Sequence, residues 1–321
     1  MDMKNVNVIL LSLLLLASAN GLFAQGTPPS KESALAKIKP NNLVRLQSYE
    51  DTLKRMGDSL LSAETDARRQ KAAFLYIKKL VMALRIPQSY LYPFDSLRTV
   101  SITESPDDKF RTFTMAIQFE NGASRYYGAI QMHDEKSLNL IPLIDYTPAI
   151  RKYEDTTCSA KTWYGNIIYK IVPLKVGKIT YYTMFGWKAV NPLECRKMID
   201  MMRFDENQQP LFGEKAMIHC RNFDSTMVWR KRFVLPYNCS AAVSLNYDAE
   251  NNRVMFDHLV TRAVLDGKPN MPGRQRGYDQ YPDGTYEGFK WDKDHWEYLS
   301  DIPADPYQTA PVPVPFFDKQ H

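Results

Sequence analysis

From Thr99 to Ile302 the chain carries short runs of aromatic and β-branched residues in which apolar and polar positions alternate, most of them closed by Gly, Pro, Asn or Asp. Strand side chains point alternately to two faces, so a period of two sustained over this length restricts the fold to sheets. The runs 109–119 and 125–131 bracket Glu120-Asn121-Gly122. Asn-Gly tolerates positive φ at both positions and therefore marks a hairpin. Further strands are expected at 163–174, 179–187, 195–204, 216–221, 227–235, 241–247, 253–259, 286–291 and 296–299. No helical pattern alternates with them, which argues against a parallel Rossmann or TIM-type sheet. The expected fold is mainly β: an antiparallel β-meander over 99–302, built as an irregular sheet, a barrel or a degenerate propeller.

The propeller alternative rests on three similar turns, Phe204-Asp205-Glu206-Asn207, Tyr247-Asp248-Ala249-Glu250 and Trp291-Asp292-Lys293-Asp294, whose aromatic residues lie 43 and 44 apart. Repeats of about 40–45 residues occur in four-stranded blades. The copy due near residue 161 is missing, and an Asp after a strand serves any turn by accepting backbone N–H groups.

Before residue 99 the period changes. Leu46, Tyr49, Leu53, Met56 and Leu60 recur at steps of three and four, and Phe74, Ile77, Val81 and Leu84 mark one face of a second helix that stops before Pro87. An N-terminal helical hairpin is predicted over 42–85, packed on the sheet that follows, making the chain α+β overall. Composition agrees with a folded protein: 44% hydrophobic and 24% charged residues exclude disorder and collagen. The net charge of +5 is uneven. Residues 31–98 hold 13 Lys and Arg against 7 Asp and Glu, whereas residues 99–321 hold 27 against 28. The basic excess therefore belongs to the helical segment, where it is either solvated or faces an anionic surface.

Val8 to Ala17 is an apolar run preceded by Lys4 and followed by Ser18-Ala19-Asn20-Gly21-Leu22-Phe23-Ala24-Gln25. This is the pattern of a secretory signal peptide, too short for a bilayer-spanning helix, with cleavage expected between Ala24 and Gln25. The expected organisation is a signal peptide (1–24), a polar linker (25–41), the helical hairpin and its connection (42–98), the β domain (99–302) and a Pro-rich tail (303–321). Export places the chain in the periplasm or outside the cell and argues against nucleic acid as a partner. No later segment is long and apolar enough to span a membrane.

An oxidising compartment permits disulfides. Cys158, Cys195, Cys220 and Cys239 allow three pairings. Cys195 and Cys220 are equidistant from the turn-like run 205–209, so a regular hairpin would set them opposite each other and allow a bridge. Pro210 and Gly213 could shift that register, leaving free buried thiols as the other reading.

Chemistry-bearing motifs are sparse. There is no Gly-x-Ser-x-Gly elbow, and His219-Cys220, adjacent on a strand, point to opposite faces. Asp257-His258 and His133-Asp134-Glu135 lack the spacing of a metal site, and no phosphate-binding loop is present, so no cofactor is expected. A pair of hydrolytic carboxylates is defined in space and leaves no sequence signature. The rings of Trp163, Tyr164, Tyr181, Tyr182, Trp187, Trp229, Trp291 and Trp296 suit stacking on sugars or anchoring a partner, and equally suit strand interiors. The stretch from Asp266 to Asp283 is the longest break in the β pattern. Arg274, Arg276 and Tyr278 are its candidate binding residues. The tail, with Pro303, Pro306, Pro311, Pro313 and Pro315, is expected to run extended.

The leader ending Leu22-Phe23-Ala24-Gln25, with Thr162-Trp163-Tyr164-Gly165, Thr180-Tyr181-Tyr182-Thr183-Met184-Phe185-Gly186-Trp187, Lys197-Met198-Ile199-Asp200 and Phe204-Asp205-Glu206-Asn207, resembles a group of secreted Bacteroidota proteins with no assigned activity. The resemblance implies an envelope or extracellular location and supplies no site residues. The expected function is an exported binding or scaffolding protein of the cell envelope, with an envelope protein or glycan as partner. The alternative is a secreted hydrolase, glycan-acting, with paired carboxylates in a cleft of the β domain.

Overall fold

The computed structural model of the chain describes residues 31–222, 225–269 and 277–303. The expected leader, nearly all of the Pro-rich tail, and Arg274 and Arg276 lie outside the described residues. A short helix α1 (Lys31–Ala36) stands where a polar linker was expected, followed by α2 (Pro40–Leu61) and α3 (Asp66–Leu84). Pro40 opens α2, where its missing N–H is no loss. Thr65 caps α3 by accepting a hydrogen bond from the Arg68 N–H at 3.4 Å.

α2 buries Leu46, Leu53 and Leu60, as its periodicity predicts. The buried face of α3 overlaps the expected one only in part: Leu84 is buried and Ile77 packs against the core, but the rest of the interior is Ala73, Tyr76, Leu80 and Ala83, while Phe74 is 67% exposed. Two alanines occupy interior positions that a search for large apolar residues does not register. The inward face is therefore displaced by one residue, about 100° around the axis.

Sixteen strands follow among the described residues, in three sheets. The first sheet has the order β1 (Ser101–Glu104), β2 (Phe110–Gln118), β3 (Ser124–Met132), β4 (Leu140–Ile144). The expected Asn-Gly turn joins β2 to β3, with Gly122 at φ +80°. The central sheet contains β5 (Cys158–Ser159), β6 (Ile167–Val176), β7 (Ile179–Ala189), β8 (Glu194–Phe204) and β9 (Pro210–Phe212), in the order β5-β9-β8-β7-β6. The outer sheet is formed by β10 (Ile218–Arg221), β11 (Met227–Arg230), β13 (Leu245–Asp248), β14 (Arg253–Thr261), β15 (Gln280–Asp292) and β16 (His295–Ile302). Its order is β11-β10-β16-β15-β14-β13, with β10 parallel to β16. β12 (Arg232–Asn238) leaves the outer sheet's sequence neighbourhood to pair with β8.

Three apolar cores lie between successive layers. Leu46, Leu53, Tyr76 and Leu80 of the helices pack with Phe113, Met115 and Ile117 of β2. Phe110, Tyr126 and Ile130 of the first sheet pack with Ile168, Tyr182, Met184 and Met198 of the central sheet. The other face of the central sheet contributes Tyr181, Phe185, Ile199 and Phe233 to a core shared with Phe256, Phe289 and Trp296 of the outer sheet. The result is a stack of helices, sheet, sheet and sheet. Each fully buried side chain of this kind contributes about 1.5–3 kcal/mol relative to exposure. Because the central sheet is covered on both faces, residues 181–186 of β7 and 197–202 of β8 are buried without interruption. Gly186 is required there: a Cβ would lie 2.4 Å from Asn166 Oδ1.

The sheets are open, so the barrel and propeller alternatives are corrected to a layered stack. The three similar turns are hairpin turns between neighbouring strands. Asp205 Oδ1 accepts from the backbone N–H groups of Asn207 and Gln209 at 2.8 Å, and Asp248 Oδ1 from that of Asn251 at 3.2 Å. Local turn chemistry, with no blade repeat, accounts for the likeness of these two, while the third turn is closed by a backbone hydrogen bond from the Asp294 N–H to the Asp292 carbonyl.

The disulfide differs from the expected Cys195–Cys220 bridge. Cys195 is bonded to Cys239, with Cα atoms 5.0 Å apart, and Cys158 and Cys220 are free and buried. β8 and β9 do form a hairpin, but Gly213, at φ +60°, ends it after Phe212 and sends the chain to the outer sheet. β12 then takes the place beside β8, with Tyr237 opposite Cys195, so Cys239 follows directly.

Candidate functional site

Of the three loop residues singled out in the sequence, only Tyr278 is described. It is 39% exposed and sits in a single 3-10 turn (Gly277–Asp279), whose backbone accepts a hydrogen bond from Asn238 Nδ2 at 2.5 Å. Gly277 is buried so closely that a Cβ would lie 2.7 Å from Glu194 Cδ. The loop is shorter than expected, because Gln280–Asp283 already belong to β15. Its last residues thus seal the end of the central sheet beside the disulfide.

A more accessible constellation lies on the solvent face of the outer sheet. Ile218 and Cys220 of β10 point into the core, so His219 between them points outward. Antiparallel pairing sets Trp229 opposite His219, and parallel pairing sets Glu297 on its other side. His295, two residues before Glu297, shares that face. The His219 ring stacks on Trp229 at 4.7 Å between centroids and the His295 ring lies 4.9 Å from the same indole. Glu297 binds His219 Nδ1 at 2.9 Å and His295 Nε2 at 3.1 Å.

The charges of this cluster follow from its hydrogen bonds. His295 has a carboxylate at each nitrogen, Asp294 at Nδ1 and Glu297 at Nε2, both at 3.1 Å. A neutral imidazole carries one N–H and the imidazolium carries two. Burial favours the neutral ring, but the bonds to Asp294 and Glu297 outweigh it and raise the His295 pKa. Burial likewise pushes the Glu297 carboxyl upward, and the bonds from His219 and His295 outweigh it and hold the carboxyl below its ordinary value. Trp229 and Met227 remain 49% and 43% exposed on β11, the last strand of the sheet. An exposed indole face beside polar donors suits recognition of a ligand with an apolar face and hydrogen-bonding groups.

A second group surrounds the register shift between Asp257 and Leu259, where β14 and β15 form a β-bulge. The bulged His258 binds Asp283 Oδ2 through Nδ1 at 2.8 Å. Burial raises the Asp257 carboxyl and lowers the Lys197 ammonium to about 8, each partly offset by the other's charge. Burial also pushes the Asp283 carboxyl up, but hydrogen bonds from Thr285 and His258 outweigh it, leaving it below its ordinary value. Asp257 and Asp283 thus carry opposite shifts beside the bulge, a difference that acid–base chemistry can use where two carboxyls face one cleft.

A third group is enclosed. Lys188 and Arg196 are cross-strand partners on β7 and β8, and Asp200 and Arg232 are partners on β8 and β12. All four project toward the first sheet. Arg232 donates to Asp200 Oδ2 at 2.7 Å, and Arg196 donates to Glu194 Oε1 and to the Tyr164 hydroxyl at 2.7 and 2.8 Å. The Lys188 ammonium lies 4.1 Å from the Tyr164 ring centroid and donates to Thr147 Oγ1 at 2.9 Å. Burial lowers its pKa to about 7; the nearby Asp145 charge opposes this, and Arg196 and Arg232 add to it. With Lys188 only 2% exposed, this network joins the 145–164 connection to the central sheet and offers no open approach to a ligand.

Among the described residues no group of three or more His, Cys, Asp or Glu side chains is arranged to hold a metal ion. No described helix is long and apolar enough to cross a membrane. The surface cluster escaped the sequence reading because His219 and Glu297 are 78 residues apart and meet only through parallel pairing of β10 and β16. No protein-family model, curated protein or solved structure matches the chain.

Proposed function

We propose that the chain is an exported binding or scaffolding protein of the cell envelope, and that it meets its envelope protein or glycan partner through the Trp229 face of the outer sheet. The observation that carries this reading is the half-exposed indole on a terminal strand, in contact with two imidazoles that share one carboxylate. A half-exposed indole offers a large apolar face that a partner can cover, and the polar groups around it supply orientation. The test is capture from envelope extract on immobilised protein, comparing the exported chain with Trp229→Ala. Partners that bind the parent and are lost from the variant support the reading. An unchanged set of bound proteins and glycans contradicts it.

The alternative, a hydrolase working through paired carboxylates, is supported by the opposite shifts of Asp257 and Asp283 about the His258 bulge. Hydrolysis of envelope glycan that is abolished in Asp257→Asn, with Trp229→Ala fully active, would select it over the binding reading.

A further inference from the structure

The outward face of α3 has an unusual composition. Phe74, Leu75 and Met82 are 67%, 44% and 39% exposed, and Lys71, Lys78 and Arg85 are exposed around them. These positions follow the three- and four-residue steps of a helix and run along about 21 Å of its length. The acidic residue within α3 is Asp66, in the first turn, where it pairs with Arg69 at 3.2 Å. Lys79 is turned away toward α2, 5.5 Å from the Tyr49 ring. The solvent face of α2 is different in kind. It mixes Lys54 and Arg55 with Asp51 and Asp58, and its large exposed apolar residues, Val44 and Leu61, stand near opposite ends.

The two helices share one core and one hairpin, so neither stability nor solubility requires this difference between their outer faces. A cationic face with large apolar side chains is the pattern of a helix lying in the plane of an anionic bilayer, where Phe, Leu and Met enter the acyl boundary and the cations meet phosphate groups. We propose that the outer face of α3 docks on an anionic phospholipid surface, holding the protein to a membrane without crossing it. The basic excess of residues 31–98, against the near-neutral remainder, gives that surface its direction. The site is separate from the Trp229 face and does not depend on it.

The test is sedimentation of the exported chain, from Gln25 onward, with vesicles of phosphatidylcholine alone and of phosphatidylcholine mixed with phosphatidylglycerol. Binding to the mixed vesicles at low salt, weakened by added salt, is expected. Replacing Lys71 and Lys78 with Gln should lower partitioning about 25-fold, at roughly fivefold per cation near the surface. Phe74→Ser should also weaken binding, and Lys54→Gln with Arg55→Gln on α2 should leave it unchanged. Circular dichroism melting of each variant separates loss of docking from loss of fold. Trp229→Ala should bind vesicles as the parent does, which keeps this proposal distinct from the envelope-partner reading. Equal binding to neutral vesicles, no binding to either kind, or full binding by the Lys71/Lys78 variant would overturn it. So would binding gained only after deletion of residues 304–321, which would make the chain's own tail the occupant of the face.

Discussion

Breaking the Cys195–Cys239 bridge gives the sharpest test of how the β layers are connected. The bond closes a loop with a sequence separation of 44, joining the start of β8 to the residue after β12. In the chain-entropy account, a closed loop of that size restricts the unfolded ensemble by about 4 kcal/mol at 25 °C. The native pairing of β8 with β12 is already held by seven cross-strand residue pairs and by the buried Arg232–Asp200 ion pair, so the fold should survive reduction. Cys195→Ser with Cys239→Ser should therefore remain folded and lose about 4 kcal/mol in urea unfolding, seen as a lower midpoint. Cys220→Ser should not reproduce that loss under non-reducing conditions, because its thiol is free; burial pushes that thiol up to about 12, so it should resist alkylation until unfolding. Peptide mapping of the native protein should recover Cys195 linked to Cys239. Recovery of Cys195 linked to Cys220 would refute the strand exchange in which β12, and no longer the β9 side of the hairpin, covers the start of β8.

Two further outcomes follow from the burial pattern. Lys188 has its pKa lowered to about 7 in the folded chain, against about 10.4 when unfolded, so between these values the unfolded state binds more protons and stability rises with pH. Lys188's part of the rise should approach about 1.4 kcal/mol per pH unit within that window and be lost in Lys188→Met, leaving the part that the buried Lys197, lowered to about 8, supplies over a narrower range; measured by urea unfolding across pH, an unchanged slope in the variant would refute it. On α3, Leu80→Ala should cost about 2–5 kcal/mol, whereas Phe74→Ala should stay within about 0.5 kcal/mol, and the reverse order in thermal unfolding would restore the rejected helix face.

How far the sequence reveals this structure depends on the range of the forces involved. The Asn121-Gly122 turn and the Leu46-Leu53-Leu60 stripe are local signals, and each occupies its expected place. Stacking of three sheets is not local. Alternation tells which residues share a face, but not whether the opposite face meets water or another sheet, and residues 181–186 and 197–202 are buried on both. The cysteine symmetry about residues 205–209 located a real hairpin, yet Gly213 ends it before Cys220 is reached. The surface cluster needed pairing between strands nearly 80 residues apart, which no periodicity contains. Tyr278 marks a structural seam near Glu194, and the chemistry-bearing groups stand elsewhere on the outer sheet.

The central claim, that the Trp229 face is where this protein meets its partner, is tested most directly by quantitative capture from envelope extract on parent and Trp229→Ala protein, with bound proteins and glycans identified. The account predicts at least one component retained by the parent and lost from the variant, while the two proteins melt at the same temperature. Identical captured components on both proteins, at equal amounts, would contradict it.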